Sequence, residues 1–120
     1  MQHEHVAICL AELGHSHRLA ILRFIIQQRS AKATVGDIQN ALNIPASTLS
    51  HHLNRLSQAK LITQEKQGRH IICSPNHLQI SALMQFLNAE FQTVQKIPYS
   101  LSTASPIKSE LKKATVIPGY

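Results

Sequence analysis

The sequence predicts a mainly α-helical domain with one small β-hairpin, and three observations lead to this fold class. Hydrophobic residues make up 43% of the 120 residues but aromatic residues only 4%, so the core must be aliphatic. Aliphatic residues recur at helical spacing in five segments. Between the last two segments, two apolar runs flank Gln67-Gly68, which is typical of a hairpin turn.

The first two helices are predicted on either side of Gly14. Over residues 3–13 the apolar residues have the spacing i, i+3, i+4, i+7: Val6, Cys9, Leu10 and Leu13. The second helix is predicted over residues 16–28, with Ser16 as its N-cap. Its apolar residues cover much of its circumference, so we expect this helix to lie at the centre of the core.

The next two helices are predicted to be short and joined by a tight turn. Thr34 can cap the third helix, and Asn43 can end it because Asn tolerates left-handed backbone angles. Pro45 can open the fourth helix, which is predicted over residues 46–59. Two short helices followed by a hairpin form a winged helix-turn-helix, whose second helix enters the major groove of DNA.

The fourth helix has two unlike faces, which predict its role. One face carries Leu49, Leu53 and Leu56 and must be buried. The other sides carry small polar, imidazole and guanidinium groups, the chemistry that meets base edges and phosphates. Arg55 is the predicted phosphate contact, and His52, about 60° from the apolar centre, is a predicted packing residue. The predicted base-proximal residues are Ser47, Thr48, Ser50 and His51.

The charge distribution favours a polyanionic partner, and we predict double-stranded DNA. The whole chain has a net charge of +6, and residues 15–74 carry eight basic residues against two acidic ones. Gly68 permits a positive φ at the hairpin tip. The residues predicted to contact phosphates or the minor groove there are Lys66, Gln67 and Arg69. On charge alone, an ordinary solvated surface stays an alternative.

The fifth helix is predicted over residues 77–94, and its apolar stripe is long and continuous. Such a stripe indicates an interface as well as a core face. Residues 1–94 are therefore predicted to form one DNA-binding and dimerisation domain. Residues 95–120 are rich in Pro, Ser, Thr and Lys, which is typical of a tail, and Ser105-Pro106 can cap a short helix there.

Three segments carry a family resemblance: LGHSHRLAILRFI, TVGDIQNALNIPASTLSHHLNRLSQAKLI and QGRHIICSPN. Their most specific signals are the run Gly14–Leu22 and the Ser-x-x-Ser-x-His-Leu run from Ser47 to Leu53. Over residues 6–90 the chain resembles the ArsR/SmtB family of bacterial repressors. Within that family it is most similar to the members that bind arsenite.

The resemblance implies a homodimer that uses the first and fifth helices. It also implies a repressor that leaves a palindromic operator when a ligand binds. Two-fold symmetry would place the two recognition helices about 34 Å apart, one turn of DNA. The residues expected at the dimer interface are Val6, Leu10, Leu13, Ile80, Leu83, Met84, Leu87 and Phe91.

The known metal sites of the family are missing from this chain. Thr34 and Gly36 stand where the third-helix site needs cysteines, and neither Glu90 nor Phe91 is a cysteine of the fifth-helix site. His77 stands alone where the fifth-helix zinc site needs Asp/His pairs. We therefore expect no metal ligands and no cofactor.

Composition and motifs limit the other functions. No Ser/His/Asp arrangement, paired carboxylates or Gly-rich phosphate loop supports catalysis, so we do not expect an enzyme. Two cysteines without a CxxC motif indicate a reducing cytoplasm, and no apolar run is long enough to span a membrane. The alternatives are a winged-helix protein–protein interaction module, or a regulator that responds to a small molecule or to oxidation of Cys9 or Cys73. His15 and His17 are predicted to serve packing or capping.

Overall fold

The structure, a computed structural model, describes residues 1–94, and the predicted tail with its short helix lies outside the described residues. The chain begins with α1 (His3–Leu13) and α2 (Ser16–Gln27), followed by a 3-10 turn at Arg29–Ala31. The remaining elements in chain order are β1 (Ala33–Thr34), α3 (Val35–Leu42), α4 (Ala46–Gln58), β2 (Ile62–Gln67), β3 (His70–Pro75) and α5 (His77–Val94). All five predicted helices are present at or within one residue of their predicted bounds.

Backbone contacts divide the chain into two units. The first, Met1–Leu87, contains α1 to α4, the three strands and most of α5. The second, Asn88–Tyr120, is described only as far as residue 94, where α5 ends. None of the helices in residues 1–94 has both the length and the apolar character that a membrane crossing needs.

Local capping fixes the helix-turn-helix. Thr34 Oγ1 accepts a hydrogen bond from the Asp37 backbone N–H at 3.0 Å, and the Asp37 carboxylate accepts one from the Thr34 N–H at 3.1 Å. This capping box starts α3 as predicted. Asn43 ends α3 with φ 53° and ψ 46°, the left-handed conformation that turns the chain toward Pro45 and α4.

The predicted N-cap of α2 is wrong by one residue. His15, and not Ser16, occupies the N-cap position, and its Nδ1 accepts a hydrogen bond from the His17 backbone N–H at 3.1 Å. Ser16 is already the first residue with helical geometry, so it lies one residue beyond the N-cap position. The expectation that His15 serves capping is confirmed.

The hairpin belongs to a three-stranded antiparallel sheet in the order β1-β3-β2. Gln67 pairs with His70, which leaves Gly68 and Arg69 as a two-residue turn, and Gly68 has the expected positive φ of 62°. Sequence analysis missed β1, because a two-residue strand has no periodicity to detect. β1 pairs Ala33 with Cys73 and Thr34 with Ile72, and so joins the base of the hairpin to the start of α3.

The core is aliphatic, as the composition predicts, and α2 lies at its centre. α2 contacts α1, α3, α4 and β3. Its buried residues are Ile21, Leu22 and Ile25, whereas Leu19 and Ile26 are exposed. The largest fully buried side chains of the domain are Ile21, Ile25, Ile38, Leu49, Leu53, Leu56, Leu61, Ile62, Cys9 and Cys73.

Candidate nucleic-acid interface

α4 has one side in the core and one side in solvent. Its three leucines at positions 49, 53 and 56 are buried. On the other side, Ser47, Ser50 and His51 are exposed, and Thr48 is half-buried. The structure thus places the predicted base-proximal residues at the accessible side of the helix, with short side chains in its first turns. Short side chains at the N-terminal end allow a close approach of the helix to base edges.

The hairpin stands next to α4 and carries exposed charge. The Gln64 side-chain amide donates to the Ser57 hydroxyl at 2.8 Å, which connects β2 to the last turns of α4. Lys66, Gln67 and Arg69 are all exposed at the outer end of the hairpin. Neither Lys66 nor Arg69 forms an ion pair within residues 1–94.

Arg55 has a partner that sequence analysis missed. Its Nη2 lies 2.9 Å from Glu12 Oε1, and its Nε donates to Glu12 Oε2 at 3.2 Å. Arg18 Nε donates to the Glu12 backbone carbonyl at 2.7 Å and lies 3.2 Å from the carboxylate oxygen Oε2, so Glu12 of α1 contacts one arginine of α2 and one of α4. The Arg55 side chain stays 48% exposed, so it faces solvent and also anchors α4. The sequence indicates that Glu12 is buried, because Glu12 lies three residues after Cys9 on the apolar stripe of α1, but it does not identify the two arginines.

His52 is buried, as its position on α4 predicts, and only 5% of its surface is exposed. The ring centroids of His15 and His17 lie 4.6 and 5.6 Å from that of His52. Arg18 Nη1 lies 3.4 Å from His52 Nδ1, whereas the buried His52 Nε2 has no hydrogen-bond partner in the described part of the chain. Burial lowers the pKa of His52, and the nearby His15, Arg18 and His17 lower it further.

The two cysteines are free thiols in the core, on α1 and β3. Burial raises the pKa of Cys73 to about 11. Burial also raises the pKa of Cys9, and a hydrogen bond from the Gln79 amide partly opposes this effect. Because the thiolate is the reactive form, both environments oppose thiol chemistry in the folded protein.

The predicted dimer residues fall into three groups, the first of which consists of Leu13 and Ile80, half-buried against the core. Val6 and Leu83 are covered by the core of their own protomer, so little of either side chain is left for a partner. Exposed apolar side chains of the set are present on α1 and on α5: Leu10, Met84, Leu87 and Phe91. The start of α5 contacts α1, since Gln79 Nε2 lies 2.9 Å from His5 Nε2.

Comparisons with known proteins agree with this architecture. The family described as a helix-turn-helix domain matches residues 13–65. The transcriptional repressor SdpR of Bacillus subtilis is 37% identical over 59 residues, which cover 46% of this chain and 66% of that repressor.

Two solved structures show the same fold. A crystal structure of an ArsR family transcriptional regulator is similar with a TM-score of 0.69 and 19% identity, over 80% of this chain and 96% of that one. The homodimeric winged helix-turn-helix DNA-binding domain of a possible ArsR-family regulator from Mycobacterium bovis gives a TM-score of 0.59. It is 18% identical, over 77% of this chain and 83% of that domain.

A core-anchored helix with a polar outer side, following a tight turn and followed by a basic hairpin, defines a winged helix-turn-helix protein. The predicted fold class is confirmed by the structure and by these neighbours. Residues 13–65 carry the helix-turn-helix domain, and the chain is similar to a transcriptional repressor in sequence and to ArsR-family regulators in fold, in agreement with the resemblance that its motifs indicate. The relatives named above are transcriptional regulators and not enzymes.

Proposed function

We propose that this chain is a homodimeric repressor that reads a palindromic operator with α4 and leaves it when an effector binds. The proposal rests on the different environments of the two sides of α4. Its leucines are buried in the core, while Ser47, Ser50 and His51 face solvent. A helix held in this way presents its polar side as a rigid surface, which sequence-specific reading requires. The protein acts in the cytoplasm on bacterial DNA and has no enzymatic activity.

Phosphate contacts and base contacts have separate roles in this proposal. Lys66 and Arg69 on the hairpin supply affinity, and the exposed side of α4 supplies sequence preference. Arg55 also faces solvent, but its guanidinium is shared with Glu12. Substitution of Arg55 would therefore remove an ion pair to α1 as well as a DNA contact, so Arg69 gives the more direct test of a phosphate contact.

We expect Arg69→Ala to weaken binding about tenfold on every duplex, because it removes one contact to the phosphate backbone. The plot of log K against log salt concentration should become shallower by about 1. Fluorescence anisotropy measures both quantities, on genomic duplexes selected by the wild-type protein and on a random duplex of the same length.

His51→Ala is the matched variant for base reading in the same titrations. It should change the ratio of affinities for the selected and the random duplex, and leave the salt slope as it is. An unchanged ratio and an unchanged affinity would mean that the exposed side of α4 is not the reading surface. If wild-type affinity for DNA depends on neither the duplex sequence nor the salt concentration, the result would instead favour a protein–protein interaction module.

A palindromic operator requires two copies of α4 related by two-fold symmetry. The first unit exposes Leu10 on α1 and Met84 and Leu87 on α5, and the two helices are in contact through Gln79 and His5. Exposed apolar side chains on two helices that touch each other indicate a protein interface. We therefore propose that a second copy of this chain covers them, and the homodimeric Mycobacterium bovis neighbour supports this choice.

We expect Met84→Glu to weaken the dimer at least a hundredfold, because a carboxylate would be buried at the interface without a partner. Met84 is 65% exposed in the protomer, so the substitution should not disturb the fold. Sedimentation equilibrium over a concentration series measures the dissociation constant. Ile26→Glu is the control, since Ile26 is an exposed apolar residue on α2 outside the predicted interface. A monomeric wild type, or two variants that dimerise equally well, would contradict this interface.

A further inference from the structure

Three histidine rings meet where the start of α2 approaches α4. His15, His17 and His52 each offer one ring nitrogen, and the three nitrogens lie within 4.8 Å of one another. His15 and His17 are exposed, whereas His52 is buried. None of the three occupies a position of the family metal sites considered from the sequence, and the exposed side of α4 does not include them.

We propose that His15, His17 and His52 bind a divalent transition-metal ion, with Zn²⁺ as the best match. Neutral imidazole is a preferred ligand of Zn²⁺, and no cysteine or carboxylate belongs to the cluster. Three protein nitrogens and one water molecule complete a tetrahedral site of the open type. The proposal rests on the side-chain geometry and does not depend on DNA binding.

The buried Nε2 of His52 is a second, independent observation that points to a ligand. Buried polar atoms nearly always have a hydrogen-bond partner, but this nitrogen has none among the described residues. Burial lowers the pKa of His52, which favours the neutral imidazole that has a lone pair for an ion. A metal ion bound to His52 Nε2 would give this buried nitrogen the partner that it lacks and so offset its desolvation.

The required contraction of the cluster is small. Zn–N bonds of about 2.0–2.1 Å place the nitrogens of a tetrahedral site roughly 3.3 Å apart. The present spread of up to 4.8 Å must therefore close by about 1.5 Å. His15 and His17 are exposed side chains at the start of α2, where side-chain rotation can supply this movement without a shift of the core.

Metal binding would change how α2 holds α4. At present His52 Nδ1 lies 3.4 Å from Arg18 Nη1, and a lone pair on that nitrogen can accept a hydrogen bond from the guanidinium. If the ion binds Nδ1, it takes this lone pair; if it binds Nε2, the ring proton moves to Nδ1. In both cases Arg18 loses its acceptor on α4 and keeps only its contacts to Glu12. The site therefore couples a metal ion to the contact between α2 and the recognition helix.

Titration of Zn²⁺ into the full chain by isothermal calorimetry tests the site. We expect one ion per protomer, and we expect His17→Ala and His15→Asn each to weaken Zn²⁺ binding at least tenfold. Asn is chosen at position 15 because it can replace the N-cap that His15 provides. Co²⁺ gives a second readout, since a tetrahedral Co²⁺ site has intense visible absorption that both variants should lose.

His3→Ala is the control, because the N-terminal amine and His3 could form a separate chelating pair near α1. It should bind Zn²⁺ as the wild type does. Circular dichroism confirms that every variant is folded. No Zn²⁺ binding by the wild type would overturn the proposal, and so would binding that survives in His17→Ala or disappears in His3→Ala.

Discussion

Replacement of Glu12 by Gln is expected to lower the free energy of unfolding by about 3 kcal/mol. Glu12 is buried, and its carboxylate balances two guanidinium groups, of which that of Arg18 belongs to a side chain only 12% exposed. Loss of the negative charge leaves the Arg18 cation in a poorly solvated position with no counter-charge. The more exposed Arg55 pair adds little of its own, because water screens it. Urea denaturation followed by circular dichroism measures the change.

Glu4→Gln is the matched control for this prediction. Glu4 lies in the first turn of the same helix and is exposed, so the same chemical change should alter stability by less than about 0.5 kcal/mol. Equal losses in the two variants would show that the Glu12 ion pairs contribute no more than general helix electrostatics. A stable Glu12→Gln protein with weakened DNA binding would assign the pairs to the orientation of α4 alone.

Leu56→Ala is expected to cost about 3 kcal/mol of stability and to abolish tight DNA binding. Leu56 is fully buried on the inner side of α4, and truncation removes three carbon atoms from a closely packed core. The cavity weakens the contact that holds the recognition helix in place, so DNA affinity should fall even where the domain stays folded. Urea denaturation and anisotropy titration on the same preparation separate the two effects.

Asn54→Ala serves as the control, since Asn54 lies on α4 two residues earlier and is exposed. Its stability should stay within about 0.5 kcal/mol of the wild type. If Leu56→Ala costs no more than this control, the leucine stripe does not anchor α4, and the assignment of its two sides must be reversed.

The helix-turn-helix could be predicted from the sequence because its signals are local. Thr34 and Asp37 cap α3 within one turn, Asn43 ends it, and Pro45 starts the next helix. Each signal depends on residues no more than a few positions apart, so no knowledge of the tertiary fold is needed. The leucine stripe of α4 then defines the inner side, and with it the outer one.

Apart from the N-cap of α2, the missed features depend on contacts between distant segments. β1 exists only because Ala33 and Thr34 meet β3 about forty residues later in the chain. Glu12 joins Arg18 and Arg55 of two other helices, and His52 meets two histidines near the start of α2. Side chains that converge from several elements depend on how the helices pack, and the periodicity of one helix contains no such information.

The two-residue strand β1 divides the hairpin into two parts that tolerate substitution differently. It holds β3 only at Ile72 and Cys73, and the remainder of the hairpin toward Gly68 is a ribbon of two strands with exposed side chains. Substitutions or insertions in that ribbon leave the hydrophobic interior intact, whereas changes at Ala33 reach directly into it. The ribbon can thus vary in length and charge, and with them in the strength of the proposed phosphate contacts, while the interior of the domain stays unaltered.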